Sequence, residues 1–230
     1  MSCLYWTESI STKNIDFLLL WLTISTGVID ATTYPFFNVF VSNMTGNVTF
    51  LALAVAQMHL RSISAPNSVV ALVGFCVGVL LSGQLGHIFG HESRWWLFTT
   101  LMVQTLLVVL SVILTSTITF EADSPKVLGL IVPLALSYGA QSATSRGLGI
   151  AEIPTVNITG AMIDLFLDKN GLAPANRPRN RRAAFIVLLF AGAVVGGVTA
   201  RMVNPSTALA LAAAEKFVAA VAVLFIPANA

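Results

Sequence analysis

Long apolar runs separated by short polar stretches dominate this chain, and neither strand-like alternation nor a soluble helix's one-sided stripe organises it. Eight apolar segments can be read, at about 15–32, 44–60, 68–89, 95–119, 127–144, 156–167, 183–203 and 207–226. Each predicts a helix. A full membrane crossing needs about 20 apolar residues. Six of the eight segments reach that length comfortably, whereas the second and sixth are short. Turn-prone aromatic residues (Tyr34-Pro35-Phe36-Phe37) follow the first segment. Ser145-Arg146-Gly147 reads as the loop after the fifth, and 168–182 is the longest polar stretch. Trp95 and Trp96 open the fourth segment, where an interfacial aromatic belt is expected.

The order of features occurs twice. Gly27-x-x-Asp30-Ala31-Thr32-Thr33 matches Gly139-x-x-Ser142-Ala143-Thr144-Ser145, and Asn43-Met44-Thr45-Gly46 matches Asn157-Ile158-Thr159-Gly160. A glycine-rich apolar segment follows each, with Gly74-x-x-x-Gly78 in one half and Gly192-x-x-x-Gly196 in the other. The expected architecture is all-α: a polytopic membrane helix bundle of two sequence-related halves. About six full spans are joined by two short or re-entrant helices, with eight spans as the alternative. A polar segment (1–14) precedes one transmembrane domain (15–226), whose repeats cover about 15–119 and 127–226.

Composition narrows the class. Of 230 residues, 56% are hydrophobic and only 10% charged. A soluble domain carries about 25% charged residues, so lipid is the solvent these side chains imply. A net charge of +2 suggests no nucleic-acid partner. Cys3 and Cys76 lie in unlike settings, and His59, His87 and His91 lack metal-ligand spacing, so neither disulfide nor metal site is expected. Glu8 and Lys13 before a long apolar run argue against a cleaved leader. No phosphate-binding loop, nucleophile elbow or zinc-protease motif appears, so no enzyme and no cofactor is expected.

Positive charge orients the chain. With six spans, Lys13, Arg94, Arg146 and the five basic residues of 169–182 share one side, against Arg61, Lys126 and Arg201 on the other. Eight spans redistribute these residues but give the same balance of eight to three. Both arrangements make the two termini cytoplasmic and leave the span count open. The sixth segment is short and carries Asp164 and Asp168, which favours six.

The candidate chemistry lies at the two Asn-x-Thr-Gly blocks. Asn and Thr oxygens cap helix N-termini, whose free N–H groups and dipoles suit an anion or a polar solute. Asn43, Thr45 and Asn47 supply one such start, and Asn157 and Thr159 the other. Their sequons read as caps, not glycosylation sites. A carboxylate within a membrane helix, such as Asp30, needs a cavity or a partner. Thr33, Gln141 and Arg146 complete the candidate substrate-binding set. Gln84 and His87 share one face of the third segment, and Glu215 and Lys216 face different partners in the last.

Phe40-Val41-Ser42-Asn43-Met44-Thr45-Gly46-Asn47, preceded by Gly27-x-x-Asp30-Ala31, resembles the signature of the YoaK family. Gly139-Ala140-Gln141-Ser142-Ala143 and Asn157-Ile158-Thr159-Gly160 resemble it too, over about residues 15–225. The resemblance implies a membrane protein of about six helices and leaves the activity open. The leading expectation is a transporter or channel for a small solute or ion, in contact with the lipid bilayer and with room for a homo-oligomer. A non-transporting accessory or assembly protein is the second expectation. An intramembrane enzyme using Asp30 or Glu215 is the third.

Overall fold

The computed structural model describes residues 5–6, 8–11, 15–58, 62–117 and 125–228; Cys3, Lys13, His59, Arg61 and the stretch 118–124 lie outside them. Eight helices follow in order: α1 (Asp16–Phe37), α2 (Met44–Val55), α3 (Ala65–Phe89), α4 (Arg94–Thr117), α5 (Lys126–Gly147), α6 (Ile158–Phe166), α7 (Arg177–Met202) and α8 (Pro205–Val223). Among the described residues the architecture is therefore an all-helical bundle. Six of its helices are long and apolar enough to cross a membrane.

Asparagine sets most of the boundaries. Asn43, Asn157, Asn176 and Asn204 precede α2, α6, α7 and α8, and each side chain accepts a first-turn N–H at 2.7–3.3 Å. Asn38, in the left-handed conformation at φ 54°, closes α1 with its N–H on Tyr34 O. Two expected loops prove helical. The Tyr34–Phe37 stretch is the last turn of α1, with Pro35 inside it and the left-handed Asn38 closing it. Arg146 belongs to the last turn of α5, and α7 begins six residues before the apolar run, at Arg177.

Side-chain contacts fix the helix directions. Leu18, Leu19 and Leu22 cluster with Ala219, Ala220 and Val223, whereas Val28 and Ile29 cluster with Leu209, Ala212 and Ala213, so α8 runs against α1. The end of α4 meets the start of α8 at Ser116 and Ser206. Ser137 donates to Gln104 O and Ser111 to Leu130 O, so α5 runs against α4. Gly192 and Gly196 climb α7 beside Ile24 and Val28 of α1, and Gly74 and Gly78 climb α3 beside Val132 and Leu136 of α5; both pairs are parallel. Hence α1, α4 and α7 point one way, and α3, α5 and α8 the other.

This pattern decides the span count. If α2 crossed the membrane, α3 would run parallel to α1, but it runs antiparallel. The chain leaving α6 likewise enters α7 in the direction opposite to α5. At 1.5 Å per residue, the 12 residues of α2 and the 9 of α6 cover about 18 and 14 Å of a core about 30 Å thick. Both are half-helices that leave by the side they entered.

The two tryptophans divide. Trp96 is buried, while Trp95 is 41% exposed as a belt residue would be. The described part of the N-terminal segment is packed: Ile10 is buried, and its N–H donates to Glu92 O.

Candidate functional site

A cavity of about 580 Å³ opens between α1, α3, α5 and α7, where the starts of both half-helices converge. Asp30, Asn43, Thr45, Arg146, Asn157 and Thr159 all line it, joined by Thr26, Ser42 and Ser142. Residues from 26 to 159 thus reach one space, because α1 and α5 cross beside it and each hands its chain to a half-helix.

The α2 side is tightly built. Asp30 accepts the N–H groups of Val41 and Ser42 at 3.2 and 3.1 Å, and the Ser42 hydroxyl. These bonds satisfy the backbone of the turn that reverses the chain. Asn47 holds the same turn from the other side, donating to Phe40 O at 2.6 Å and accepting Phe40 N at 3.1 Å. Tyr34, Phe40 and Phe50 stack, with Tyr34 and Phe40 centroids 4.6 Å apart. Asn43 caps Gly46 N.

The α6 side is plainer. Asn157 caps Thr159 N at 3.2 Å, and Ser142 stands in the position corresponding to Asp30. Arg146, exposed at the cavity, forms no ion pair among the described residues. The free N–H groups of two helix starts, one guanidinium and one carboxylate engaged by three donors therefore face the cavity together.

Three candidates lie outside the lining. Asn47 is buried in the turn it braces. Thr33 is buried with its hydroxyl unpartnered among the described residues. Gln141 is buried on the far side of the α1–α5 seam, donating to Leu22 O and Thr26 Oγ1 at 3.3 and 3.0 Å and accepting from Lys216. Gln84 and His87 are exposed on α3 away from the cavity. His87 meets His91 at 3.4 Å, and burial, followed by the His87 charge, pushes the His91 imidazole below its ordinary value.

Sequence reasoning named Ser142 as the counterpart of Asp30 but did not single out Ser42 or Thr26 as lining residues. A polar side chain inside an apolar run was the available signal for Thr26. Ser42 lay within the motif, but only the fold shows that its hydroxyl and N–H both serve Asp30. No group of three or more His, Cys, Asp or Glu side chains suited to a metal ion occurs among the described residues.

Comparison with known proteins gives two matches. The family described as "Protein of unknown function (DUF1275)" matches residues 18–222. The UPF0700 transmembrane protein YoaK of Bacillus subtilis (strain 168) is 27% identical over 186 residues, covering 77% of this chain and 80% of that relative. No solved structure matches.

Proposed function

The chain belongs to the DUF1275 family and is a multi-pass integral membrane protein, and from that premise we propose that it is a transporter or channel that passes a small anion through the cavity between its half-helices. The observation that carries the reading is the convergence of two capped helix N-termini on one cavity at mid-bundle. Half-helix N-termini aimed at a central site are how many membrane transporters hold anionic groups. Their dipoles and unpaired N–H groups favour negative charge. Arg146 adds a full positive charge, while Asp30 spends its oxygens on Val41 and Ser42.

The bundle's pairing supports an inverted repeat. Exchanging α1 with α5, α2 with α6, α3 with α7 and α4 with α8 leaves the set of packed helix pairs unchanged. The contacts agree residue by residue. A Cβ on Gly27 would strike Leu189 and Ala193, and one on Gly139 would strike Phe75 and Val79; Gly192 abuts Ile24 as Gly78 abuts Leu136. Gly27 and Gly139 lie 112 positions apart, while Asn43 and Asn157, and again Gly78 and Gly192, lie 114 apart. Two residues are thus gained in the second half between the first helix and the half-helix. On this reading Gly78 corresponds to Gly192, one turn away from the pairing of the Gly-x-x-x-Gly motifs by order alone. Three spans per half, an odd number, make the repeat inverted. The balance of positive charge then sets both termini in the cytoplasm.

The reading assigns permeation and no catalysis. A second reading, an accessory membrane protein, draws on one observation: α2 packs chiefly on α3 and α6 on α7, which leaves half-helix faces free for a partner.

Proteoliposome uptake of labelled chloride, nitrate and sulfate tests the proposal. Uptake of at least one anion is expected. In the combined variant Asp30→Asn, Asn43→Ala, Asn157→Ala it is expected to fall about tenfold or more, the scale of one lost hydrogen bond to a charged group. Uptake that persists in that variant clears the cavity of the role, and no uptake by the unaltered protein favours the accessory reading.

A further inference from the structure

Lys216 lies midway along α8 and is completely buried. Its ammonium donates to Gln104 Oε1 on α4 at 3.0 Å and to Gln141 Oε1 on α5, and sits 4.3 Å from the centroid of the Tyr138 ring. All three partners are neutral, and no salt bridge to Lys216 is formed among the described residues. Two amide oxygens and an aromatic face make a cation cage, with the cation tethered to the chain. An ionisable residue at mid-bilayer is expensive there, and an apolar side chain would fill the space at less cost.

The cage is wired to the cavity. Gln141 directs its amide nitrogen onto two acceptors of α1, Leu22 O and Thr26 Oγ1, which leaves its oxygen for Lys216. Thr26 lines the cavity. Tyr138 bonds Ser25 on the same helix. The cage thus draws on α4 of the first half and α5 and α8 of the second, and is tied to α1 across the seam between them. The titratable groups near Lys216 are Glu215 on its own helix, which has one unpartnered buried oxygen, and Tyr138 on α5. From α4 it meets only neutral Gln104, and on α1 the nearest carboxylate, Asp30, lies one turn beyond Thr26.

We propose that Lys216 is the coupling group of the transporter, binding and releasing the proton whose gradient drives anion movement. The inference rests on the transport reading above. The ammonium holds α4 to α5 through the two glutamines. When the seam opens to water on one side, the neutral amine takes up one proton, because hydration favours the ammonium. As the seam closes over it, loss of water favours the neutral amine, and the ammonium gives that proton to water on the other side. The neutral amine no longer holds both oxygens as a cation and the seam is free to reopen, so each cycle moves one proton and leaves the chain unchanged.

Proteoliposomes carrying the full chain test this, with chloride, nitrate and sulfate as probes and the membrane voltage clamped. The unaltered protein is expected to concentrate a probe anion when a pH gradient is imposed. Lys216→Arg keeps the charge but cannot release the proton, and Lys216→Met removes both. Each is expected to lose concentrative uptake while still exchanging labelled for unlabelled anion. Gln104→Leu, which removes one acceptor and keeps the lysine, is expected to shift the pH profile of uptake and so serves if a Lys216 variant does not fold. Concentrative uptake by Lys216→Arg equal to that of the unaltered protein overturns the proposal and makes Lys216 a fixed charge. Exchange that ignores the pH gradient overturns it while sparing the transport reading. Absence of exchange in the unaltered protein overturns both.

Discussion

Arg94 illustrates how misleading a charge near a helix end can be at the residue scale. By position it reads as a loop cation that orients the chain. It is instead 2% exposed, and its guanidinium donates to Val223 O and Ile226 O at 2.9 and 2.8 Å and to Tyr5 O at 3.2 Å. It satisfies carbonyls at the C-terminal end of α8 that no helix bond can reach. Arg94→Ala is expected to cost about 2–4 kcal/mol, since several buried acceptors lose their donor. A detergent-solubilised thermal melt reads this, and an unchanged melting temperature would contradict it. Legibility follows the same line. Asn43 and Asn157 were readable as caps because capping is local. That Gln104, Gln141 and Lys216 meet was not, because the meeting joins residues 112 and 75 positions apart.

The helices show which element-scale features a sequence can carry. The six long runs were legible because twenty apolar residues have few other uses. The directions of α3 and α7 were not, since the tally of positive charge is the same whether α2 and α6 cross or return. Glycine contacts settle them, and they also yield a prediction. Gly27 and Gly139 each press on the backbone of a neighbouring helix, where nothing flexible gives way. Gly27→Ala and Gly139→Ala are each expected to destabilise by about 1–3 kcal/mol, and by similar amounts. Melts in which only one matters would break the correspondence between halves. The turn between α6 and α7 carries a pH prediction. Asp168 accepts Asn170 N at 2.9 Å and Asn176 Nδ2 at 2.8 Å, and these bonds, with Arg182 and Arg179 nearby, hold its carboxyl below its ordinary value of 3.8. A depressed carboxylate stabilises above the unfolded value and loses that contribution as pH falls through the folded one. Hydrogen-exchange protection over 168–176, corrected for the intrinsic pH dependence of amide exchange, is therefore expected to be constant near neutral pH and to fall only below about pH 4. A loss of protection near neutrality would point to a different group.

At the scale of the whole molecule, the fold places two half-helix starts from the two halves of the sequence at one cavity. The apolar exteriors of α3 and α7 meet lipid. Behind the wall of α1 and α5, Lys216 waits at the same depth. The cavity exists only if the starts of α2 and α6 converge. Thr45→Cys and Thr159→Cys, in a chain with Cys3 and Cys76 replaced by alanine, place one thiol at each start. A short bifunctional thiol reagent applied to the protein in lipid vesicles is expected to join them within one chain, detected as a bridged fragment after proteolysis between the halves. Failure to bridge, with both thiols still reacting singly, would separate the half-helices and remove the shared cavity.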